Sequence, residues 1–267
     1  MMKRLACLAG AAVAVCLVAG AGAAVAKEKP PGYLPAEAVD ILSILTPAPV
    51  KGEVRYEADR KIFQSTRPFA GSPRWGLATN DVKLSTADML RDFSCAVGVS
   101  LTEDKLPHLV HLVERANTDT SRAAGVAKDH FRRLRPYQID QGQTCQDPAE
   151  LAGSYDYPSG HTTRGWTWAS LLAELAPDRA GAILARGRSF GESRIVCGVH
   201  NSSAVEAGRV TAAAVLSVVH AAPDFAPEFR AAKDELAQLR AAADTTRPSG
   251  CAEEAALVAQ PVFLPVE

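Results

Sequence analysis

Apolar residues recur at spacings of three and four positions along most of the chain, and strict alternation of apolar and polar residues is scarce. That period is typical of helices with one apolar face, whereas alternation would indicate strands. The pattern predicts helices over about 36–45, 54–64, 86–99, 108–134, 162–175, 177–190, 203–220 and 227–242. The expected fold class is therefore all-α: a single compact, bundle-like helical domain whose loops gather at one end.

Local signals mark some boundaries of these elements. Ser85 is followed three positions later by Asp88, the spacing of a capping box, so we expect Ser85 to cap the helix behind it. Pro107 fits the first position of the next helix. Residues 136–158 contain three prolines and two glycines and are predicted to form a loop. The tail from residue 245 onward mixes proline with apolar residues and is expected to pack as a strap.

The first 26 residues differ from the rest of the chain. Two basic residues precede an uncharged apolar run, which ends in the small-x-small pattern at Ala24 and Ala26. This composition predicts a signal peptide over residues 1–26, cleaved after Ala26, and a periplasmic or secreted protein. An uncleaved membrane anchor is the alternative, since the run is about long enough to span a bilayer. The cleavage pattern favours a mature domain over 27–267 without stable membrane insertion.

Composition and charge exclude several classes of protein. Hydrophobic residues make up 47% and charged residues 22% of the chain, values that describe an ordinary globular protein rather than a disordered or membrane-embedded one. The formal net charge is −1, no long basic block is present, and aromatic residues are sparse. Nothing in the composition therefore predicts a nucleic-acid partner.

Four cysteines follow the predicted cleavage site: Cys95, Cys145, Cys197 and Cys251. An even number in an oxidising compartment predicts two disulfides, and buried thiols are the alternative. The sequence leaves the three possible pairings open. No two of these cysteines are close enough in sequence to form the Cys-x-x-Cys arm of a zinc site.

Two cations stand at the end of the longest predicted helix. Lys128 and Arg135 are seven positions apart, so a helix that continued through both would place them on nearly the same face, just before Pro136. Guanidinium and ammonium groups that point together can bind an anion. Taken alone, the pair also fits a solvated basic face.

Two further segments carry groups that suit an anion. Ser159, Gly160 and His161 directly precede a predicted helix, whose free amides and dipole favour negative charge. Gly160 allows close backbone approach, and the Ser159 hydroxyl could cap the helix, donate to a phosphate, or do both. Arg194 and His200 form the third segment, with His200 at the start of the next helix. Each segment alone also has a purely structural interpretation.

The three segments together read Lys-x6-Arg-Pro, Pro-Ser-Gly-His and Ser-Arg-x5-His, in that order. This pattern resembles the bacterial class A non-specific acid phosphatases, within the superfamily of type 2 phosphatidic acid phosphatases and vanadium haloperoxidases. The similarity covers about residues 35–245 and includes the sequence around Trp166 and Trp168. It implies a helical fold with active-site loops at one end, a small-molecule phosphomonoester substrate, no metal ion or other cofactor, and a homo-oligomer.

The resemblance also implies roles for individual residues. His200 would be the nucleophile and form a phosphohistidine, and His161 would protonate the leaving alcohol and then activate water. The surrounding cations would lower the pKa of His200 and keep it neutral. The groups that would hold the phosphate oxygens are Lys128, Arg135, Ser159, the Gly160 amide and Arg194.

One position departs from the family pattern. An aspartate is expected four residues after the nucleophilic histidine, where it would accept the Nδ1 proton and fix the tautomer, but Ala204 stands there. The enzyme could be slow, another carboxylate could substitute, or the protein could bind phosphate compounds without turnover. Glu206 is a poor substitute, because six helical positions turn it about 240° around the axis. Glu192 is a freer candidate.

Two other activities occur within the superfamily. A vanadate-dependent haloperoxidase usually has an added set of residues near the acid histidine, and no such set is identifiable in this sequence. A lipid phosphatase is expected to have further transmembrane spans, which the hydrophobic pattern does not predict.

Overall fold

The computed structural model describes residues 30–263, and all regular elements in this range are helical. The α-helices are α1 (Ile41–Ile44), α2 (Val54–Ser65), α3 (Pro73–Asn80), α4 (Thr86–Val97), α5 (Pro107–Phe131), α6 (Gly160–Leu175), α7 (Ala180–Val196), α8 (Ser202–Val219), α9 (Phe225–Ala241) and α10 (Cys251–Ala259). Short 3-10 turns lie at Arg67–Phe69, Pro136–Gln138, Pro148–Leu151 and Pro177–Arg179. The all-α prediction is confirmed.

Helix α6 lies at the centre of the domain. It packs against α5, α7 and α8. Helix α9 packs mainly on α5, and α3 and α4 pack on α7. Phe93, Trp168, Leu172 and Phe190 are completely buried between these helices. Burial of each such side chain contributes about 1.5–3 kcal/mol, so this core fixes the position of the amino end of α6.

Two glycines allow the close helix contacts that the site depends on. A Cβ atom on Gly187 would lie 2.3 Å from the Cβ of Ala169, so α7 can approach α6 only without a side chain there. A Cβ atom on Gly208 would lie 2.8 Å from the carbonyl oxygen of Ser159. Helix α8 therefore rests directly on the turn that begins α6.

Most predicted helices are present, but some of them end at other residues than the apolar pattern predicts. The long helix ends at Phe131 rather than near residue 134, because Arg132 adopts left-handed backbone angles with φ 47°. Lys128 and Arg135 therefore do not share a helix face, and that prediction was wrong. Helix α7 instead runs six residues beyond the predicted end and includes Arg194.

Two helices were not predicted. Helix α3 begins after Ser72, whose side chain accepts the Trp75 amide, with Pro73 in the first position. Both are recognisable helix-start signals, although the helix is too short to show a clear apolar period. Helix α10 replaces part of the expected strap, and it packs against α3, α4 and α7. The first predicted helix is reduced to the single turn of α1.

Both disulfides are present, and the structure gives the pairing that the sequence left open. Cys95–Cys251 joins α4 to the start of α10, and Cys145–Cys197 joins the loop after residue 136 to the end of α7. The closed segments span 156 and 52 residues. In the chain-entropy model the two bonds therefore stabilise the fold by roughly 5 and 4 kcal/mol, because they restrict the unfolded chain. The predicted signal peptide, residues 1–26, lies outside the described residues.

Helix α8 is, among the described residues, long and apolar enough to cross a membrane by length and composition. Half of it is buried inside the domain, and its apolar side contacts α5 and α6. These contacts are those of a core helix.

Candidate active site

The three predicted segments converge on one cavity of about 1070 Å³ at the amino end of α6. Its wall includes Lys128, Arg135, Gly160, His161 and His200. The two remaining predicted site residues, Ser159 and Arg194, are completely buried beside it. Ser159 directly precedes Gly160, and the Arg194 carbonyl accepts the His200 amide at 3.2 Å. All seven predicted residues therefore belong to one region, although they come from three separate segments of the chain.

His200 lies just before α8 and is held at both ring nitrogens. Its Nε2 is 3.0 Å from Nη1 of Arg135, and its Nδ1 is 3.0 Å from Oδ1 of Asp156. A guanidinium group can only donate, so Nε2 must accept. A neutral ring then carries its proton on Nδ1 and donates it to Asp156. The geometry thus leaves the lone pair of His200 on Nε2, toward the cations.

Asp156 is completely buried and receives hydrogen bonds on both oxygens. The Asn201 amide donates to Oδ1 at 3.1 Å, and the Asn201 side chain donates to Oδ2 at 2.9 Å. Nη1 of Arg133 lies 3.5 Å from Oδ2. Burial raises the pKa of Asp156, and the charge of Arg133 with the bonds from Asn201 opposes that rise. Because donors surround both oxygens, we assign Asp156 as ionised.

The two carboxylates considered from sequence as substitutes for position 204 have other partners. Glu192 forms an ion pair with Arg188 at 2.5 Å, and Glu206 pairs with Arg209 at 2.7 Å. Asp156 was not among the candidates, and it is the carboxylate that contacts His200. A signal for it was present in the sequence: an acidic residue two positions before Pro158, at the edge of the anion-binding turn.

Asp156 belongs to a short segment, residues 154–156, that holds the site together. Arg135 donates two hydrogen bonds to Ser154: Nε to the carbonyl oxygen at 2.8 Å and Nη2 to the hydroxyl at 3.1 Å. The Tyr155 carbonyl accepts the ammonium group of Lys128. Each residue of the segment therefore orients one member of the site. The sequence predicts only a loop at these positions.

The cations lie in a low-dielectric environment. Burial, followed by repulsion from Arg135, lowers the pKa of Lys128 to about 7. Burial also holds the pKa of His200 well below its usual range, and the charges of Arg135, Lys128 and Arg194 lower it further. The expected effect of the cations on His200 is thus in the predicted direction, with burial as the larger cause.

Arg194 lies in the last turn of α7 and is completely buried. Its Nη2 donates to Oε1 of Gln146 at 2.6 Å, while Nε and Nη1 have no hydrogen-bond partner among the described residues. Burial, then repulsion from Arg135, lowers the pKa of Arg194 to about 9, so it stays charged at neutral and acidic pH. Unpaired buried donors of a charged group are costly, and an anion is the ligand that would satisfy them.

The turn before α6 supplies backbone donors. Ser159 caps the helix, since its hydroxyl accepts the Thr162 amide at 3.3 Å, and its own amide donates to the Ala204 carbonyl at 2.9 Å. A Cβ atom on Gly160 would lie 3.8 Å from Cε of Lys128. The amides of Gly160 and His161 have no carbonyl within their own helix to bond, because they belong to its first turn.

His161 lines the cavity and is held differently from His200. Its Nε2 is 3.0 Å from the carbonyl oxygen of Val82, so Nε2–H donates and Nδ1 is left for other partners. Burial and the charge of Arg194 hold the pKa of His161 well below its usual range, and the Val82 carbonyl opposes this. Val82 was missed from sequence, because a backbone acceptor leaves no mark in residue type.

A buried charge cluster fixes the segment that carries Val82. Asp81 accepts Nη2 of Arg186 at 2.6 Å and the hydroxyl of Ser193 at 2.6 Å, and Arg74 donates to the same hydroxyl at 3.0 Å. Ser193, which belongs to the third sequence segment, therefore anchors α7 to the loop after α3 rather than lining the cavity.

Comparison with known proteins gives a consistent set of relatives. A family model described as the PAP2 superfamily matches residues 118–227, which include all seven predicted site residues. An acid phosphatase of Zymomonas mobilis is 43% identical over 209 residues, covering 77% of this chain and 79% of the relative. Non-specific acid phosphatases of Providencia stuartii and Salmonella typhimurium are 33% and 32% identical, covering 76% and 77% of this chain and 84% of each relative.

A solved structure is also similar. It is that of a transmembrane PAP2-type phosphatidylglycerolphosphate phosphatase from Bacillus subtilis, with a TM-score of 0.49 and 16% identity. The match covers 68% of this chain and 89% of that one.

Proposed function

Because this chain belongs to the PAP2 superfamily, and within it to the bacterial acid phosphatases, we propose that it hydrolyses phosphate monoesters at acidic pH, without a metal ion, through a phosphohistidine on His200. One observation carries the proposal. Lys128, Arg135, His161 and a buried His200 with a defined lone pair line one cavity, and the buried charge of Arg194 acts on both histidines.

Phosphate binding rests on charge and on unpaired donors. A phosphomonoester brings about two negative charges, and its transferring group needs stabilisation of the equatorial oxygens. Nε and Nη1 of Arg194, the ammonium group of Lys128 and the first-turn amides of α6 are the donors in place for them. The Ser159 hydroxyl accepts the Thr162 amide and keeps its own proton to donate.

The first chemical step begins at Nε2 of His200. Arg135 now donates to this nitrogen, so its guanidinium must transfer to a phosphate oxygen when the substrate binds, which frees the lone pair. Nε2 then attacks phosphorus, a new N–P bond forms, and the ester P–O bond breaks. His161 donates a proton to the leaving oxygen, so an alcohol departs.

The second step reverses the roles of the two histidines. His161, now neutral, removes a proton from water as the water oxygen attacks phosphorus. The N–P bond breaks, inorganic phosphate is released, and His200 returns to its neutral form. An acidic optimum follows, because His161 must be protonated in the first step although its surroundings lower its pKa.

The size of the cavity supports a broad choice of leaving group. About 1070 Å³ is far larger than one phosphate, and the outer wall mixes apolar residues such as Leu84 and Pro107 with polar ones such as His111. A cavity of this kind can hold alcohols of different shape once the phosphate is fixed.

The test uses the purified mature chain and a chromogenic aryl phosphate at pH 5–6. We expect turnover that chelator does not reduce and vanadate inhibits, and a phosphorylated His200 that can be trapped by denaturation at alkaline pH, where an N–P bond persists. The His200→Ala variant is the control. Wild-type turnover no higher than that of the control would overturn the proposal, and phosphate binding without turnover would identify a binding protein instead.

We also propose that the chain is exported. The two disulfides of the described residues suit an oxidising compartment. Amino-terminal sequencing of the mature protein should then begin at Lys27, and a protein that retains its first 26 residues would contradict cleavage.

A further inference from the structure

The nucleophilic histidine has a carboxylate partner from an unexpected part of the chain. Position 204, where the family pattern has an aspartate, is a completely buried alanine without an acceptor on its side chain. The partner of His200 Nδ1 is Asp156, at 3.0 Å. We propose that Asp156 is the positioning residue of His200, so that the orienting carboxylate comes from the 154–156 segment rather than from α8. The inference rests on the proposed function, because it concerns how the nucleophile of that reaction is held.

The surroundings of Asn201 support this role. Asn201 occupies the N-cap of α8, where an asparagine side chain normally bonds the amides of its own helix. Here it makes no such bond, and both its backbone and side-chain N–H groups donate to Asp156. Asn201, the residue next to His200, therefore uses both of its N–H donors to position the Asp156 carboxylate.

A residue of another helix performs the cap that Asn201 gives up. Oδ1 of Asp59, from α2, accepts the Ser203 amide at 2.9 Å, and Oδ2 accepts the Ser203 hydroxyl at 2.5 Å. Arg133 bridges the two carboxylates, at 2.8 Å from Asp59 and 3.5 Å from Asp156. The start of α8 is thus capped from outside, and Asn201 is released to bind Asp156.

This arrangement has a direct chemical consequence. With Nδ1–H bonded to Asp156, the lone pair of neutral His200 is fixed on Nε2, the atom that must attack phosphorus. The phosphorylated ring carries positive charge, and the buried carboxylate stabilises it without taking up the proton. A rigid carboxylate therefore serves both the orientation and the charge of the nucleophile.

The principal test is Asp156→Asn, which keeps the shape and removes the charge. An amide has one acceptor oxygen where the carboxylate now accepts N–H groups on both, so either His200 or Asn201 must face an NH₂ group. We expect kcat to fall by about 10²–10⁴-fold, the upper value being that of the analogous change in a serine protease. KM and the inhibition constant of inorganic phosphate should change less than about threefold, because Lys128 and Arg194 are untouched.

The matched control is Asp119→Asn. Asp119 is an equally buried carboxylate, bonded to the Tyr33 amide at 2.6 Å and paired with Arg122, and it does not line the cavity. We expect this variant to lose stability and keep its kcat. An Asp156→Asn enzyme with kcat within threefold of wild type would overturn the inference. Absence of turnover in the wild type would instead overturn the proposed function.

A spectroscopic measurement tests the bond between His200 and Asp156 in the wild-type protein, so it does not depend on whether a variant folds. In wild-type protein labelled with ¹⁵N-histidine, the Nδ1–H of His200 should give a slowly exchanging, strongly downfield proton resonance, assigned by its loss in His200→Ala. Its presence supports the bond to Asp156, and an Nδ1 without a proton overturns it.

A third test adds a carboxylate at position 204. Ala204→Asp should not raise kcat, whereas a tenfold rise in kcat would show that His200 lacks an orienting carboxylate.

Discussion

The two histidines of the cavity have opposite kinds of support. His200 is bound at both nitrogens by charged groups, the guanidinium of Arg135 and the carboxylate of Asp156. His161 is bound at one nitrogen by the neutral carbonyl of Val82. A charged pair of partners fixes one tautomer, whereas a single neutral acceptor allows the ring to gain or lose a proton at Nδ1. The partners of His200 therefore hold it in one protonation state, whereas the surroundings of His161 allow its protonation state to change.

This contrast also assigns a role to the substrate. In the free site, burial and neighbouring cations keep the pKa of both rings low. A bound phosphate brings negative charge beside Arg194 and Lys128 and offsets their repulsion, so the pKa of His161 should rise on binding. The enzyme would therefore acquire its acid only when the substrate is present.

Of the changes that compare the two histidines, His161→Ala should have the most informative large effect on kcat. Without an acid, the leaving oxygen departs as an anion, so kcat should fall about 10²–10⁴-fold for an alkyl phosphate and far less for an aryl phosphate with an acidic phenol. Steady-state rates for a series of esters give the slope of log kcat against the pKa of the leaving alcohol. The control is His200→Ala, which should abolish turnover for every ester. A loss with His161→Ala that is equal across the series would show that this ring does not protonate the leaving group.

A smaller effect concerns anion binding and pH. Sulfate keeps its charge from pH 5 to 8, so any change in its affinity reports on the protein. The pKa values of His161 and Lys128 are lowered in the free site and raised by a bound anion, so binding takes up protons. The affinity for sulfate should therefore rise as pH falls, by up to about tenfold per pH unit for each proton taken up. Calorimetric titrations in buffers of different ionisation enthalpy count the protons, and an affinity independent of pH would contradict the account.

The smallest effect is on stability. The pKa of Lys128 falls from 10.5 to about 7 on folding, so between these values the unfolded chain binds more protons and stability rises with pH. Lys128→Met removes this cost, so the melting temperature at pH 6–7 without an anion should rise by a few degrees, with a smaller gain near pH 10. Lys61→Met, on the exposed side of α2, is the control and should change little. A lower melting temperature for Lys128→Met would show that the ammonium group stabilises the empty site.

The sequence predicted residues that lie together in the structure, but it did not predict the contacts that bring them together. The pairing of Lys128 with Arg135 was inferred from a shared helix face, yet the helix ends between them and Arg135 begins the turn at Pro136–Gln138. The two cations meet because the 154–156 segment binds both, and pairing across such distances in sequence leaves no periodic signal. Ala204 was correctly identified as a departure from the pattern, but its replacement was sought along the same helix and on α7, where side-chain spacing can be calculated.

Patterns within the sequence were enough to predict the helical class, helices α4–α9, the helix start at Ser85 and seven residues that lie at or beside the cavity. These follow from periodicity, local capping and residue chemistry, which act over a few positions. Three contacts arise only when the chain is folded: Asp156 binds His200, Val82 binds His161, and Asp59 caps α8. Each of these depends on groups 44 to 144 positions apart, brought together by the packing of α2, α6, α7 and α8. Burial then sets their pKa values, and no linear pattern in the sequence records it.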